Sequence, residues 1–171
     1  RDIDLPFTTE YGRFWKPWMA FREIEANTRD EGGETYHDTA PVDRIIGRDG
    51  ATVLVVSLPE YQHAWMLKDE TFLPGARASL DPGQPPIQAL DEGPRDKLYW
   101  RGLRVQDLEK RTVRTWNFTC ALELTEDRTL KHQFMARAAL ARWIASDCTD
   151  AKLIEDVITC DGRHWEHRLE F

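Results

Sequence analysis

Cysteine is scarce in this sequence, and long apolar runs are missing. The 171 residues include three cysteines, Cys120, Cys148 and Cys160, with no Cys-x-x-Cys pair. An odd, thinly spread set is not a disulfide framework and favours a reducing compartment. No run of about 18 apolar residues occurs, so no membrane span is expected. We therefore predict a cytoplasmic protein, although a targeting signal upstream of Arg1 would not be visible.

The sequence also lacks the motifs of common catalytic sites. Neither glycine-rich phosphate loop, GxGxxG or GxxxxGK[ST], is present, and neither is the GxSxG nucleophile turn. Cys160, His164 and His167 are metal-binding residue types, but zinc needs three or four convergent ligands. On a strand, the two histidines would point to opposite faces. We therefore predict no metal, no cofactor and no catalytic residue, which favours a protein that is not an enzyme.

The charge balance is acidic. Lys and Arg number 23 against 30 Asp and Glu, for a net charge of −7. Proteins that bind nucleic acids normally carry a basic stripe, so a nucleic-acid partner is disfavoured. The shares of hydrophobic residues, 41%, and charged residues, 31%, are ordinary for a globular chain. The length predicts a single domain over residues 1–171 with a sizeable core.

The clearest structural pattern lies within residues 112–146. Polar and apolar residues alternate from Val113 to Leu124, which indicates a strand with one buried face. After a polar turn, the alternation resumes from Leu130 to Phe134, so the second run is the expected hairpin partner of the first. From Met135 the spacing becomes helical and the residues are good helix formers, which predicts a helix at about 135–146.

A hairpin followed by a helix with a tryptophan near its end, here Trp143, resembles the closing part of a pleckstrin-homology-like domain. In that family the last strands lead into a helix that caps one end of a bent antiparallel barrel. The resemblance covers residues 112–146. It implies a curved sheet or partly open barrel, and a binding module rather than an enzyme.

Turn signals, rather than regular helices, separate the remaining strand patterns. Asp49-Gly50 and Asp161-Gly162 each stand between apolar runs, which is a hairpin signal. Leu98–Val105 is typical of a strand with a bulge at Gly102. We predict an α+β fold with a mostly antiparallel curved sheet or partly open barrel of about six to eight strands. The helix at about 135–146 and an aromatic-rich N-terminal helix are expected to pack on it.

Aromatic residues concentrate in residues 1–30 and recur in residues 60–73. In the first segment they have helical spacing, and Pro17 is consistent with either a kink in such a helix or its first turn. The second segment fits either a strand or a short helix. Core packing is one interpretation of both groups; the other is a binding surface, because Trp, Tyr and Arg are enriched at interface hot spots. The candidate binding residues are Trp15, Trp18, Tyr61, His63 and Trp65.

The expected function is that of a non-catalytic binding or adaptor module that contacts another protein. Residues 74–96, rich in Pro and Gly, predict a flexible loop that suits recognition. One alternative is a small enzyme or ligand carrier with a pocket inside the curved sheet near Tyr61 and His63. Another is a structural or assembly domain of a larger protein. The sequence predicts neither the partner nor the oligomeric state.

Overall fold

A computed structural model of the chain describes residues 15–30, 59–77 and 82–170. The chain divides into two compact units, residues 1–68 and residues 69–171. A single domain was expected from the length. The hairpin predicted around Asp49-Gly50 lies outside the described residues.

The N-terminal unit, residues 1–68, contains the predicted aromatic-rich helix. Helix α1 spans Pro17–Asp30 and helix α2 spans Pro59–Met66, and the two contact each other. Each begins at a proline, a residue that suits the first helical position because its missing N–H would have no partner there. A short helix, α3, spans Lys68–Thr71 and thus crosses the boundary between the two units. Of the two structures that the sequence pattern allowed for residues 60–73, the helix is the one found, up to Thr71.

The C-terminal unit, residues 69–171, is built on a mixed sheet. Within the described residues it has four strands in the order β1-β4-β2-β3. The β1/β4 and β2/β3 pairs are antiparallel, whereas β2 and β4 run parallel. The α+β prediction is confirmed, but the sheet is partly parallel and does not close into a barrel. The strands are β1 (Ile87–Leu90), β2 (Lys97–Trp100), β3 (Leu103–Asp107) and β4 (Thr115–Phe118).

A tight turn divides the segment Leu98–Val105, for which a single strand was predicted. Arg101 and Gly102, between β2 and β3, have φ angles of 53° and 79°. A two-residue hairpin of the favoured twist needs positive φ at both positions. Arginine rarely adopts that conformation, which is why the turn was not visible in the sequence and the glycine was wrongly interpreted as a bulge.

The hairpin predicted within residues 112–146 forms only in part. Strand β4 is only four residues long, and its neighbours in the sheet are β1 and β2. Leu130 forms one isolated bridge with Leu124, after which His132 already caps the next helix. Strand β1 lies inside the segment 74–96, for which a loop was predicted. A local alternation thus identified a strand but not its partner, because the partners are distant in sequence.

The helices after the sheet agree better with the sequence. Helix α4, Gln133–Ser146, confirms the helix predicted at about 135–146. Helix α5, Ala151–Ile158, begins where the Asp150 carboxylate accepts a hydrogen bond from the Leu153 N–H at 3.0 Å, a normal N-cap.

The hairpin predicted around Asp161-Gly162 is wrong, because α5 occupies its first arm and a 3₁₀ helix, Trp165–Arg168, occupies its second. Trp165 and Glu166 are adjacent and both buried, at 2% and 1% exposed. A strand would place them on opposite faces.

The two faces of the sheet are buried differently. On one face, Trp116 and Phe118 of β4 join the core that α4 and α5 cover. Trp143 of α4 meets Trp116 edge-on, with ring centroids 6.4 Å apart, so this tryptophan packs on the sheet as predicted. The other core residues of this face include Ile87, Leu98, Val105, Leu140, Ile144, Leu153 and Val157.

The opposite face of the sheet carries buried polar side chains that bond to backbone groups. Asn117 accepts a hydrogen bond from the Gly102 N–H at 2.8 Å and donates one to the Arg77 carbonyl at 2.9 Å. The Tyr99 hydroxyl donates to the Glu70 carbonyl at 2.7 Å. Strand β4 is therefore buried on both faces, whereas the alternation predicted only one.

Candidate functional site

Trp65 lies at the contact between helices α1 and α2. Its ring meets the Phe21 ring of α1 edge-on, with centroids 5.9 Å apart. The Lys68 ammonium lies 4.8 Å from the Trp65 ring centroid, a distance at which the cation is attracted to the π face. Phe21 is fully buried, whereas Trp65 is half-buried. The tryptophan ring is therefore held in place while part of it remains exposed.

Trp18 is held in a similar way on α1. The Arg22 guanidinium, one turn further along, lies 5.0 Å from the Trp18 ring centroid, and Arg22 is itself buried. Side chains three and four residues apart share a helix face, so Trp18 lies on the same side of α1 as Phe21. Like Trp65, Trp18 is half-buried.

The structure places the other predicted binding residues on or beside the same two helices. Trp15 is half-buried and lies just before α1, and His63 is exposed on α2. Tyr61 belongs to α2 as well. Tyr61 and His63 belong to the N-terminal unit, whereas the described strands of the sheet belong to the C-terminal unit. The predicted residues thus share one helix pair.

Sequence reasoning missed two exposed residues next to Trp65. Met66 is 65% exposed and Leu67 is 37% exposed. We call Trp65, Met66 and Leu67 the α2 tip. The signal was present in the sequence: successive residues of a helix point about 100° apart, so three adjacent large apolar side chains cannot all face one core. At least one of them must be left at the surface.

A second feature is a polar cleft of about 340 Å³ in the C-terminal unit. It lies between the end of β3, the start of α4 and the beginning of the 3₁₀ helix, and we call it the β3–α4 cleft. Sequence reasoning missed it, because its lining comes from segments far apart in the chain. The lining residues are Gln106, Asp107, Glu109, Lys110, Gln133, Arg137, His164 and Trp165.

Backbone contacts position the two cations of the cleft. The Lys110 ammonium donates a hydrogen bond to the Gly162 carbonyl at 2.6 Å. Arg137 donates to the Trp165 carbonyl at 2.7 Å, and its guanidinium stacks 4.5 Å from the Trp165 ring centroid. Both charged groups are therefore directed toward the segment that contains the 3₁₀ helix.

An ionised carboxylate orients the cleft histidine. Asp161 Oδ1 lies 3.1 Å from His164 Nδ1, which donates to it, and Asp161 also accepts from Arg163 Nε at 2.7 Å. The hydrogen bonds from Arg163, followed by that from His164, hold the pKa of Asp161 well below its usual range. Since Asp161 takes the Nδ1–H, the Nε2 atom of His164 is left for another contact.

The acidic residues of the cleft contribute less negative charge than their number suggests. Asp107 Oδ1 accepts from Arg104 Nε at 2.9 Å and from the same guanidinium's Nη2. Arg104 is buried, so the pair is partly shielded from solvent. Glu109 is exposed, where water screens its charge.

Glu166, the residue after Trp165, is a buried carboxylic acid. Its Oε1 accepts a hydrogen bond from the Val113 N–H at 3.0 Å and another from the Trp116 indole N–H. Its Oε2 is buried without a hydrogen-bond partner. Burial raises the pKa of Glu166, although these hydrogen bonds oppose the shift. Sequence reasoning missed this acid because it treated 164–171 as a strand.

The described residues hold no group of three or more His, Cys, Asp or Glu side chains placed to bind a metal ion. His164 bonds to Asp161, while His167 Nδ1 donates to the Cys160 carbonyl at 3.0 Å. Over the same described parts of the chain, no helix combines the length and the apolar character that crossing a membrane requires.

Comparison with known proteins reveals no relative of this chain: no protein-family model, no curated protein and no solved structure matches it. The resemblance of residues 112–146 to pleckstrin-homology-like domains therefore stays a prediction. Function has to be inferred from the side chains of this protein alone.

Proposed function

We propose that this protein is a non-catalytic binding module that contacts another protein through the α2 tip. The observation that supports this is the exposure of Met66 and Leu67 directly beside the half-buried Trp65. A single exposed apolar side chain is ordinary on a protein surface. Contiguous exposed apolar side chains next to an aromatic ring are instead typical of an interaction surface.

The contacts of Trp65 favour its use as an anchor for a partner. Phe21 packs against one edge of the ring, and the Lys68 cation lies near it at 4.8 Å. A ring that is already held in place loses little conformational entropy on binding, which leaves more of the contact energy for affinity. Tryptophan is also among the residues most enriched at hot spots.

The partner proposed for this surface is a protein with an apolar patch bordered by acidic side chains. The apolar patch would cover Met66 and Leu67, and an acidic side chain would pair with Lys68. We further propose a reducing compartment, the cytoplasm, for this interaction. In support, Cys120, Cys148 and Cys160 are all free thiols.

A matched pair of variants tests the proposal. Met66→Gln with Leu67→Gln makes the α2 tip polar while keeping side chains of similar length and good helix propensity. Phe134→Gln is the control, because Phe134 of α4 is 66% exposed, almost the same fraction as Met66. Each tagged protein is used as bait in an extract of the source cells, and the retained proteins are quantified by mass spectrometry.

We expect one protein to be retained by the wild type and by Phe134→Gln, and to decrease about tenfold or more with the double variant, as loss of a hot spot predicts. In calorimetry, the purified partner should then bind the wild type and Phe134→Gln with similar affinity and the double variant more weakly. Equal retention by all three proteins would contradict the proposal. An equal decrease in retained partner with Phe134→Gln would also contradict the proposal, since that would reflect nonspecific hydrophobic binding.

A further inference from the structure

We propose that the β3–α4 cleft is a binding site for a small phosphorylated molecule, recognised through its phosphoryl oxygens. The cleft brings together cationic and neutral donor groups from the end of β3, the start of α4 and the 3₁₀ segment in a volume of about 340 Å³. Pockets for small molecules begin at about 300 Å³. This site belongs to the C-terminal unit and is independent of the α2 tip.

Two titratable groups in the cleft keep donor capacity after their protein contacts are counted. The Lys110 ammonium has three N–H donors, and the Gly162 carbonyl takes one of them at 2.6 Å. His164 uses Nδ1 for the ionised Asp161 at 3.1 Å. The Nε2 atom is on the other side of the ring and is left for a ligand, to which it donates when it carries a proton.

Trp165 supplies an independent indication of a missing acceptor. It lines the cleft and is only 2% exposed, yet its indole N–H has no hydrogen-bond partner. A buried N–H without an acceptor is unfavourable. The indole nitrogen itself has almost no accessible surface, so a phosphoryl oxygen in the cleft would become its acceptor only after a small shift of the Trp165 side chain.

The start of helix α4 adds to the positive potential. Gln133, its first residue, lines the cleft. The N-cap, His132, makes no side-chain capping bond, and the first turn contains no acidic residue. The N-terminal end of a helix this long attracts anions through its exposed N–H groups and its dipole. Arg137, one turn further along, contributes a full positive charge to the same wall.

The acidic lining does not cancel these charges. Asp107 is already held by two N–H groups of Arg104, and Glu109 is exposed. A phosphoryl group offers several acceptor oxygens in different directions and a charge near −2, whereas a carboxylate offers two oxygens in one plane. The surrounding arrangement of donors therefore favours the phosphoryl group.

The test uses inorganic phosphate and the full chain, with the indole N–H resonance of Trp165 as the reporter. The resonance is assigned by its absence from a Trp165→Phe variant. Phosphate is titrated at constant ionic strength and pH, and acetate is titrated in parallel. Lys110→Gln removes a cleft cation, and Lys131→Gln is the matched control, since Lys131 is an exposed lysine that does not line the cleft.

We expect phosphate to shift the Trp165 resonance in a saturable way, with a Kd of about 1 mM or lower. Acetate should bind at least about tenfold more weakly, and Lys110→Gln should weaken phosphate binding about fivefold or more, as loss of a charged hydrogen bond predicts. Lys131→Gln should leave it unchanged. A linear, non-saturable shift would overturn the proposal, as would equal weakening by the two lysine variants or equal binding of acetate.

Discussion

The tryptophans of the two units differ in exposure. In the C-terminal unit, Trp116, Trp143 and Trp165 are 0%, 7% and 2% exposed, and Trp100, at the end of β2, is half-buried. In the N-terminal unit, the three described tryptophans, at positions 15, 18 and 65, are all half-buried. Three of the four tryptophans of the C-terminal unit therefore belong to its core, whereas all three described tryptophans of the N-terminal unit stay partly accessible. Core tryptophans should govern stability, and accessible ones should govern binding.

Polar contacts separate the tryptophans of the two units less clearly than exposure does. The buried Trp116 donates its indole N–H to Glu166, so the core tryptophan is fixed by a specific acceptor. Cations near the ring occur in both units: Arg22 and Lys68 lie near Trp18 and Trp65, and Arg137 lies near the buried Trp165. Cation–π contacts at partly exposed sites contribute about 0.5–1 kcal/mol, enough to restrain a ring without burying it.

The largest expected effect is that of Trp116→Ala. The side chain is fully buried, contacts Trp143 edge-on and supplies a hydrogen bond to Glu166. Truncation should lower the free energy of unfolding by about 3–5 kcal/mol, as for other buried large aromatic residues. Urea denaturation measures this, and a loss below about 1 kcal/mol would show that Trp116 is not central to the core.

Trp65→Ala should cost clearly less stability than Trp116→Ala. The ring is half-buried and its described ring contact is with Phe21, so truncation removes less contact area and leaves a smaller cavity. We expect a loss of about 1–2 kcal/mol. The same denaturation experiment checks this; a loss as large as that of Trp116→Ala would remove the contrast between the two units.

Glu166→Gln should change how stability depends on pH. Burial raises the pKa of Glu166 in the folded state above its ordinary value of 4.5, so the folded protein holds this proton more tightly than the unfolded chain does. The stability that the protonated acid contributes is fully present below pH 4.5 and is lost as the pH rises through the raised pKa.

Gln has no such proton, so the stability of the variant relative to the wild type should rise as the pH increases above 4.5. Nearby ionisable groups on other elements, His164 and Cys160, are present in both proteins and largely cancel in the difference. Parallel denaturation curves at several pH values measure the effect. A stability difference that does not change with pH would show that Glu166 titrates normally.

The fold was predictable where a local pattern decides the structure. The alternation around Trp116 and Phe118 identified a strand and its apolar face, and the helical spacing after Met135 identified α4. Strand pairing was not predictable, because β4 pairs with segments distant in the chain. The second buried face of β4 was not predictable either. Asn117 lies on that face and forms hydrogen bonds with backbone groups of Arg77 and Gly102. No local sequence pattern reveals such contacts.

The candidate sites were predictable to different degrees for the same reason. Trp15, Trp18 and Trp65 stood out through aromatic content alone, and the structure places them on or beside one helix pair. The β3–α4 cleft could not be predicted, because Lys110 and His164 come together only when β3 and the 3₁₀ helix meet α4. A local pattern thus indicates which side chains are unusual, and only the fold shows which of them meet.

The smallest effect on stability is expected for the Met66→Gln and Leu67→Gln double variant. The same variant provides the most direct test of the binding surface. Because both side chains are exposed, the free energy of unfolding should change by no more than about 0.5 kcal/mol. The deciding measurement is the amount of partner protein that this variant retains relative to Phe134→Gln. If the α2 tip is the binding surface, the retained partner protein should decrease about tenfold or more in the double variant. Equal retention by the two variants would contradict this.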